Sequence, residues 1–382
     1  MASKQSSVPP AQRRVAVVAG ARSPFVRSGK ELSGLGPLRL GVETVDGLIE
    51  RRGIRPESIE AIAFGTVVPE PGCPNLAREI VFESTLPCST EAQTVSSYCI
   101  TGLRAVTAIA DAIACGRIEA GIAGGVESLS HASPDLFTER SLGLSMGEAM
   151  EATLEDWEVP RLRQDELALS SHRKAVAAQV GRHAADIVPV QGVDRDSGPR
   201  ANSTLEALAG LSPVFREDGT ITAGNASPVT DGAAAVVLMS EERANEEGLT
   251  PLAFLRATNY ASIDPRDGLL MAPAVAVPRV LRQAGIGLEQ VGLIEIHEAF
   301  AAQVLANVMA WQSGWKEGAI GAVDWDRVNV AGGSLALGHP WSATGIRNLN
   351  SLSSEMAERD VAFGLLSVCA AGAMAGAMVL ER

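Results

Sequence analysis

The stretch EAQTVSSYCITGLRAVTAIADAIACGRIEAGIAGGVES, residues 91–128, reads as a strand, a tight junction, a long Ala-rich helix, a Gly stop and a buried strand. Cys99 falls at the junction between the first strand and the helix. Upstream, RVAVVAGARSPF runs from Arg14 as a buried strand into a Gly/Pro turn. A helix is predicted over Leu38 to Arg51, a strand over Ile59 to Val68, and a further helix over AREIVFES. In a chain rich in Gly and Ala and only 4% aromatic, such segments point to a large α/β fold.

Beyond Ser128 the pattern changes. Short helical stretches such as RQDELALSSHRKAVAAQV are interrupted by polar and Pro-containing loops as far as Val229, which reads as an insertion carried by the first domain. An internal echo links DGAAAVVLMSEER (231–243) with AGAMAGAMVLER (371–382), each a small-residue run feeding an apolar strand with a charged end. Duplication of an α/β unit would produce it. The expected organisation is a disordered tail over 1–13, a first half over 14–128 plus 230–251, an inserted region over 129–229 and a second half over 252–382.

With 382 residues, 46% apolar and 20% charged, the chain has the profile of a soluble globular protein of two or three domains. Its net charge of −13 argues against nucleic acid as a partner, because phosphate binding needs a basic surface; a locally basic pocket for a phosphorylated cofactor is still compatible with it. Cys73, Cys88, Cys99, Cys115 and Cys369 form no CxxC pair and no His stands at metal-ligand spacing, so neither a metal site nor a disulfide framework is expected. Reduced thiols fit a cytoplasmic location. No apolar run approaches the roughly 20 residues of a membrane span, and MASKQSSVPPAQRR lacks the apolar core of a secretory signal.

Four residues at element junctions carry the chemistry. Orphan N–H groups and the dipole at a helix start favour a thiolate, which suits Cys99 as a nucleophile rather than one more small core residue. His339, in NVAGGSLALGHPWSATG, sits on a Gly-flanked loop stopped by Pro340 and is the candidate base. His297, in LIEIHEAFAAQ, follows an apolar strand and opens a helix with Glu298 in its first turn, a position from which an imidazole can donate into a cleft. Cys369, in LLSVCAAGAMAGAM, lies between a strand and a run in which Gly372 and Gly376 let backbone N–H groups face a ligand. His131, His172 and His183 stand in loop or polar helical contexts and read as surface or satisfied histidines.

At these segments the sequence resembles the thiolase family, from ARSPF near the start to the C-terminal strand. The motifs are CxTGLxA around Cys99, GGVES at 124–128, TAGNAS with DGAAAVVL at 222–238, HEAFA at 297–301, GGxxALGHP at 332–340 and CAAG at 369–372. The resemblance implies a homodimer or homotetramer of duplicated five-layer α/β/α/β/α architecture, with the inserted region covering coenzyme A. It implies Cys99 as the acyl-carrying nucleophile, His339 as its base, Cys369 as the acid/base at the α-carbon or the incoming thiol, and His297 as a partner of His339 in one oxyanion hole. A second hole would be the backbone N–H groups of Cys99 and Ala371. Ser227 maps to the pantetheine arm, Arg200 to the nucleotide, and Met146 and Phe300 to the pocket wall.

The implied activity is reversible thiolysis of a 3-ketoacyl-CoA, with coenzyme A and acyl-CoA as substrates and no permanently bound cofactor. Competing readings are an acetoacetyl-CoA-forming acetyltransferase, a specialised condensing enzyme, and an inert acyl-CoA- or lipid-binding relative. A ketoacyl-ACP synthase-like site would lack the second cysteine. Ser145 stands before Met146-Gly147, where short-chain biosynthetic members commonly carry His, and Ser342 replaces the usual Gly of HPxGxTG. Ser342 is expected to shift the backbone beside His339 or to narrow the pocket. HEAFA resembles the β subunits of fatty acid oxidation complexes, which would bring a hydratase/dehydrogenase partner subunit.

Overall fold

Val15–Arg22 (β1) is buried along its whole length and anchors the first half of the molecule; the computed structural model describes residues 13–382. In chain order Ala61–Gly65 (β2), Glu91–Val95 (β3), Ala120–Glu127 (β4) and Thr230–Ser240 (β5) follow, but they pair in the spatial order β1-β5-β4-β2-β3. The β1–β5 and β5–β4 ladders are antiparallel, whereas β4–β2 and β2–β3 are parallel. The second half repeats this plan. Ala253–Ser262 (β6), Leu293–Ile296 (β7), Phe363–Ala370 (β8) and Met374–Glu381 (β9) pair as β6-β9-β8-β7, antiparallel, antiparallel, then parallel, and Val328 adds a parallel bridge to Ile294 on the far side of β7. The echo in the sequence is thus the last strand of each half, β5 and β9. A short ladder between β1 and β6 joins the two halves into one sheet path.

Helices fill three layers around these two half-sheets. Pro37–Arg52 (α1) and Leu76–Glu83 (α2) cover the outer face of the first, where Leu40, Val45, Leu48 and Ile80 pack with Ile62, Phe64 and Val237. Thr101–Ala114 (α3) presents Leu103, Val106, Ile109 and Ile113 to the interior at helical spacing. It meets Trp341–Arg359 (α8) in the central layer, whose Ile346, Leu349, Leu352 and Met356 join a core reaching strands of both halves. On the outer face of the second half lie Pro273–Ala284 (α6) and Ala301–Ser313 (α7). This gives the five-layer α/β/α/β/α arrangement. Between β4 and β5 the chain makes a long excursion that includes Met146–Thr153 (α4) and Arg161–Ala178 (α5). Between the corresponding strands β8 and β9 there is only the turn Ala371–Ala373.

Two local departures from the sequence reading have physical causes. The strand predicted over Ile59 to Val68 is shorter, because the N–H groups of Val67 and Val68 turn away to donate to the buried Glu127 carboxylate (2.6 and 3.1 Å) instead of continuing a ladder. Of the expected tail, residues 1–12 lie outside the described residues, while Arg13 donates its N–H to the carbonyl of Ala114 (3.3 Å). Among the described residues no helix is long and apolar enough to cross a membrane.

Candidate active site

Cys99 sits on a sharp strand-to-helix turn just ahead of α3. Tyr98 takes a left-handed backbone (φ 48°), a strained state for a residue with a bulky side chain. The Thr101 hydroxyl holds the turn, donating to the Tyr98 carbonyl (2.6 Å) and accepting from the Ser97 N–H (2.7 Å). His339 is brought to it by the segment between the helical turn Ser334–Leu337 and α8. Gly338 has φ 102° and packs so tightly on Thr230 that no side chain fits, and the His339 N–H donates to the Pro228 carbonyl (3.1 Å). The result places Nε2 of His339 3.2 Å from Sγ of Cys99, while its Nδ1 lies 2.7 Å from the Thr344 hydroxyl.

His297 leaves the end of β7, its N–H donating to the Ser367 carbonyl of β8 (2.8 Å). Its ring lies against that of His339 with centroids 4.1 Å apart, and its Nδ1 is 3.0 Å from the Ser334 hydroxyl. Cys369, near the end of β8, shares one cavity with Cys99 and His339. The turn after it is fixed by a bond from the Gly372 N–H to Glu139 (2.9 Å), and the N–H of Ala371 faces the Cys99 sulfur together with the N–H of Cys99 itself.

The cavity is apolar. Although the chain is 4% aromatic, Tyr98, Phe137, Phe215, Phe300 and Trp341 all line it, with edge-to-face pairs Phe137–Trp341 (5.2 Å) and Phe215–Phe300 (5.8 Å). Ser227 and Met146 are also in its walls. The TAGNAS segment reaches the cavity by pairing with the loop that follows His297, through Ser227 N–H to Ala299 carbonyl (2.9 Å) and Ala301 N–H to Asn225 carbonyl (2.9 Å).

Burial sets the charge state of the pair. It pushes the Cys99 thiol up to about 12, with the facing N–H of Ala371 opposing and the charge of Glu127 adding. Burial also pulls His339 down to about 3, helped by the Arg347 guanidinium. The expectation that the helix start favours a Cys99 thiolate is therefore not met. The N–H groups around the sulfur act in that direction, but desolvation outweighs them, and the resting pair is a neutral thiol beside a neutral imidazole. Cys369 is likewise pushed well above the usual thiol range, by burial and then by Cys99.

Two further expectations are corrected. Glu298 does not lie in a helical first turn, since α7 begins only at Ala301; it is a buried anchor that accepts from Ser171 (2.8 Å), Asn329 (2.6 Å) and the Leu335 N–H (3.1 Å). Ser342 does not face the cavity. Its hydroxyl donates to the Val126 carbonyl (2.8 Å), and its own carbonyl packs on Gly102 and Gly125, where a Cβ would overlap. Arg200, which the resemblance maps to the nucleotide, is exposed and lies outside this apolar cavity, and its backbone N–H donates to Nδ1 of His172 (3.3 Å). Sequence reasoning also passed over Thr344, Ser334, Trp341 and Arg347, although the first three lie inside or beside the GGSLALGHPWSATG segment.

The Thiolase, N-terminal domain family matches residues 15–242 and the Thiolase, C-terminal domain family matches 249–382. The chain is 38% identical to a 3-ketoacyl-CoA thiolase of Shewanella baltica, covering 96% of this chain and 97% of that protein, and shows the same identity and coverage against the 3-ketoacyl-CoA thiolase of Shewanella frigidimarina. Among solved structures it superimposes on the acetyl-CoA acetyltransferase of Bacillus anthracis with a TM-score of 0.90 at 33% identity, over 97% of this chain and 99% of that one. The acetyl-CoA acetyltransferase of Syntrophomonas wolfei gives the same TM-score at 31% identity.

Proposed function

The chain belongs to the thiolase family and is an acyltransferase, and from that premise we propose that it catalyses reversible thiolysis of 3-ketoacyl-CoA through an acyl-enzyme on Cys99. The observation that carries this reading is the 3.2 Å approach of His339 Nε2 to the Cys99 sulfur in a cavity that also holds Cys369.

Cys99 gives its proton to Nε2 of His339 as its sulfur attacks the 3-keto carbon. The oxyanion is received by the N–H groups of Cys99 and Ala371 beside the attacking sulfur, and collapse of the adduct breaks the bond between the α- and β-carbons. The electron pair goes to the enolate of acetyl-CoA, whose oxygen is received by the imidazoles of His339 and His297 and which takes the Cys369 thiol proton at carbon and leaves. A thiol pushed up by burial is still protonated at neutral pH, so Cys369 has a proton to give. Its thiolate then deprotonates the incoming coenzyme A, whose sulfur attacks the acyl-Cys99 carbonyl. The N–H groups of Cys99 and Ala371 face that oxygen, and Cys99 leaves with the proton returned by His339. Losing one such donor typically costs about 3–4 kcal/mol of barrier.

In this reading the excursion between β4 and β5 covers coenzyme A, with Ser227 and Met146 along the arm, and the aromatic walls hold the acyl chain. These walls favour an acyl group longer than acetyl. The active species is a homodimer or homotetramer. Steady-state cleavage of acetoacetyl-CoA against medium- and long-chain 3-ketoacyl-CoA, with Cys99→Ala as control, tests the proposal. Cleavage lost in the control supports it; pure folded enzyme that cleaves none of the three refutes it.

A further inference from the structure

The Ser334 hydroxyl lies between two groups that compete for it. Its Oγ is 3.1 Å from Nη2 of Arg347 and 3.0 Å from Nδ1 of His297, and all three side chains are buried. A guanidinium only donates, so Arg347 occupies a lone pair of the oxygen and leaves the hydroxyl hydrogen to be placed. Among the described residues, Nδ1 of His297 is the one acceptor within reach. Were the ring hydrogen on Nδ1, two donors would converge on one oxygen and a buried hydroxyl hydrogen would face nothing, which is costly. Accepting from a cation also polarises the hydroxyl and strengthens its own donation.

The hydrogen of a neutral His297 is thereby placed on Nε2, a buried atom with no protein partner. The Arg347 charge, held 3.3 Å from Glu295, acts a second time by disfavouring an imidazolium nearby. His297 is held well below the ordinary histidine range by burial, then by His339 and Arg347. The neighbouring ring is treated differently. Among the described residues no cation hydrogen-bonds to Thr344, the hydroxyl at Nδ1 of His339, which is free to donate or accept, as a ring that gains and loses a proton requires.

We propose that Ser334 and Arg347 are positioning residues that lock His297 as a neutral imidazole with its hydrogen on Nε2, a permanent donor to the substrate oxyanion, while His339 alone exchanges a proton. The identity of that oxyanion rests on the thiolysis reading above; the tautomer is a property of the free enzyme.

The test is nitrogen NMR of the full chain with 15N-labelled histidine, the His297 signals assigned by their loss in His297→Asn. We expect a bare Nδ1 and a protonated Nε2 in the unmodified enzyme. In Ser334→Ala the second tautomer should become populated and kcat fall on the order of 100-fold with KM little changed, and Ser334→Thr should restore both. A protonated Nδ1 in the unmodified enzyme overturns the proposal even if no variant folds, and so does a Ser334→Ala enzyme with unchanged tautomer and full kcat. If the tautomer behaves as expected but no 3-ketoacyl-CoA is cleaved, the relay stands and the thiolysis reading fails.

Discussion

The rings of His297 and His339 lie 4.1 Å apart and tilted by 43°, yet Nδ1 of one meets Ser334 and Nδ1 of the other meets Thr344. Two imidazoles in such contact cannot both carry a charge cheaply, and both are held neutral by burial. The pair therefore divides its work through the hydroxyls behind it.

A neutral resting thiol at Cys99 has a kinetic signature. With the thiol pushed up to about 12, the thiolate fraction rises tenfold per pH unit throughout the accessible range. Inactivation by iodoacetamide, followed as mass added at Cys99, should be slow at neutral pH and still be climbing at the highest pH the fold tolerates. A plateau near neutrality would show a stable thiolate instead.

Buried neutral histidines make the fold acid-sensitive. His339 and His172, pulled down to about 3 and about 4, start in the unfolded chain near the ordinary value of about 6.5. Their folded pKa lies below the unfolded one, so the folded state binds fewer protons, and stability present above about pH 6.5 is lost as pH falls toward 4 and 3. Each contributes about 2 kcal/mol of this loss at pH 5. Buried Glu127 and Glu295, pushed up to about 7 and about 8, slope the other way, so the clean measurement is a difference. Chemical denaturation of His172→Gln should weaken less than the parent between pH 7 and 5, and parallel curves would contradict the assignment.

Removing the hydroxyl behind the base should separate binding from chemistry. In Thr344→Val the imidazole of His339 keeps its place but loses its Nδ1 partner, and we expect kcat to fall on the order of 10- to 100-fold with KM nearly constant. Thr344→Ser should recover most of the rate. Equal losses in the two variants would mean that packing, not the hydroxyl, matters.

Phe137 is half-buried and leans edge-on against Trp341 in the cavity wall. Phe137→Ala should widen the cavity with little loss of stability and move the preference toward longer acyl chains. One or two methylenes of extra contact, each worth about 1 kcal/mol, would raise the long-to-short ratio of kcat/KM on the order of tenfold. An unchanged ratio would remove Phe137 from the acyl site.

Ser342→Gly should lower stability by about 1–2 kcal/mol, from the lost bond to the Val126 carbonyl and a glycine in the first turn of α8, and leave kcat within experimental scatter. A large change in kcat would mean that the hydroxyl reaches the chemistry after all.

Elements whose pattern is local were legible in the sequence. The fully buried run of β4 and the period of α3 read directly, as did Cys99 at their junction, and the repeated small-residue runs turned out to be β5 and β9. What escaped was set by distant partners. Glu298 looks like a helix-start acid until Ser171, Asn329 and Leu335 converge on it, and the reach of β2 depends on Glu127, some sixty positions away. Arg347 lies in α8, a helix buried from Ser342 to Met356 despite its polar residues, and no periodicity reveals that its charge faces two histidines. The thiolate expectation failed for the same reason: a helix start is visible in one segment, but desolvation is the sum of many.

The two halves differ most where their topology is most alike. Between its last two strands the second half turns within Ala371–Ala373, and between its last two the first wanders through residues 128–229. Closing a longer loop costs only slowly more entropy, so that one gap can lengthen, shorten or be exchanged without disturbing the registers of either sheet. Substrate preference can then vary along that one excursion while Cys99 in the first half and His297, His339 and Cys369 in the second stay fixed at their element ends and turns. An enzyme built by doubling itself has kept one loop for precision and freed its twin for variation.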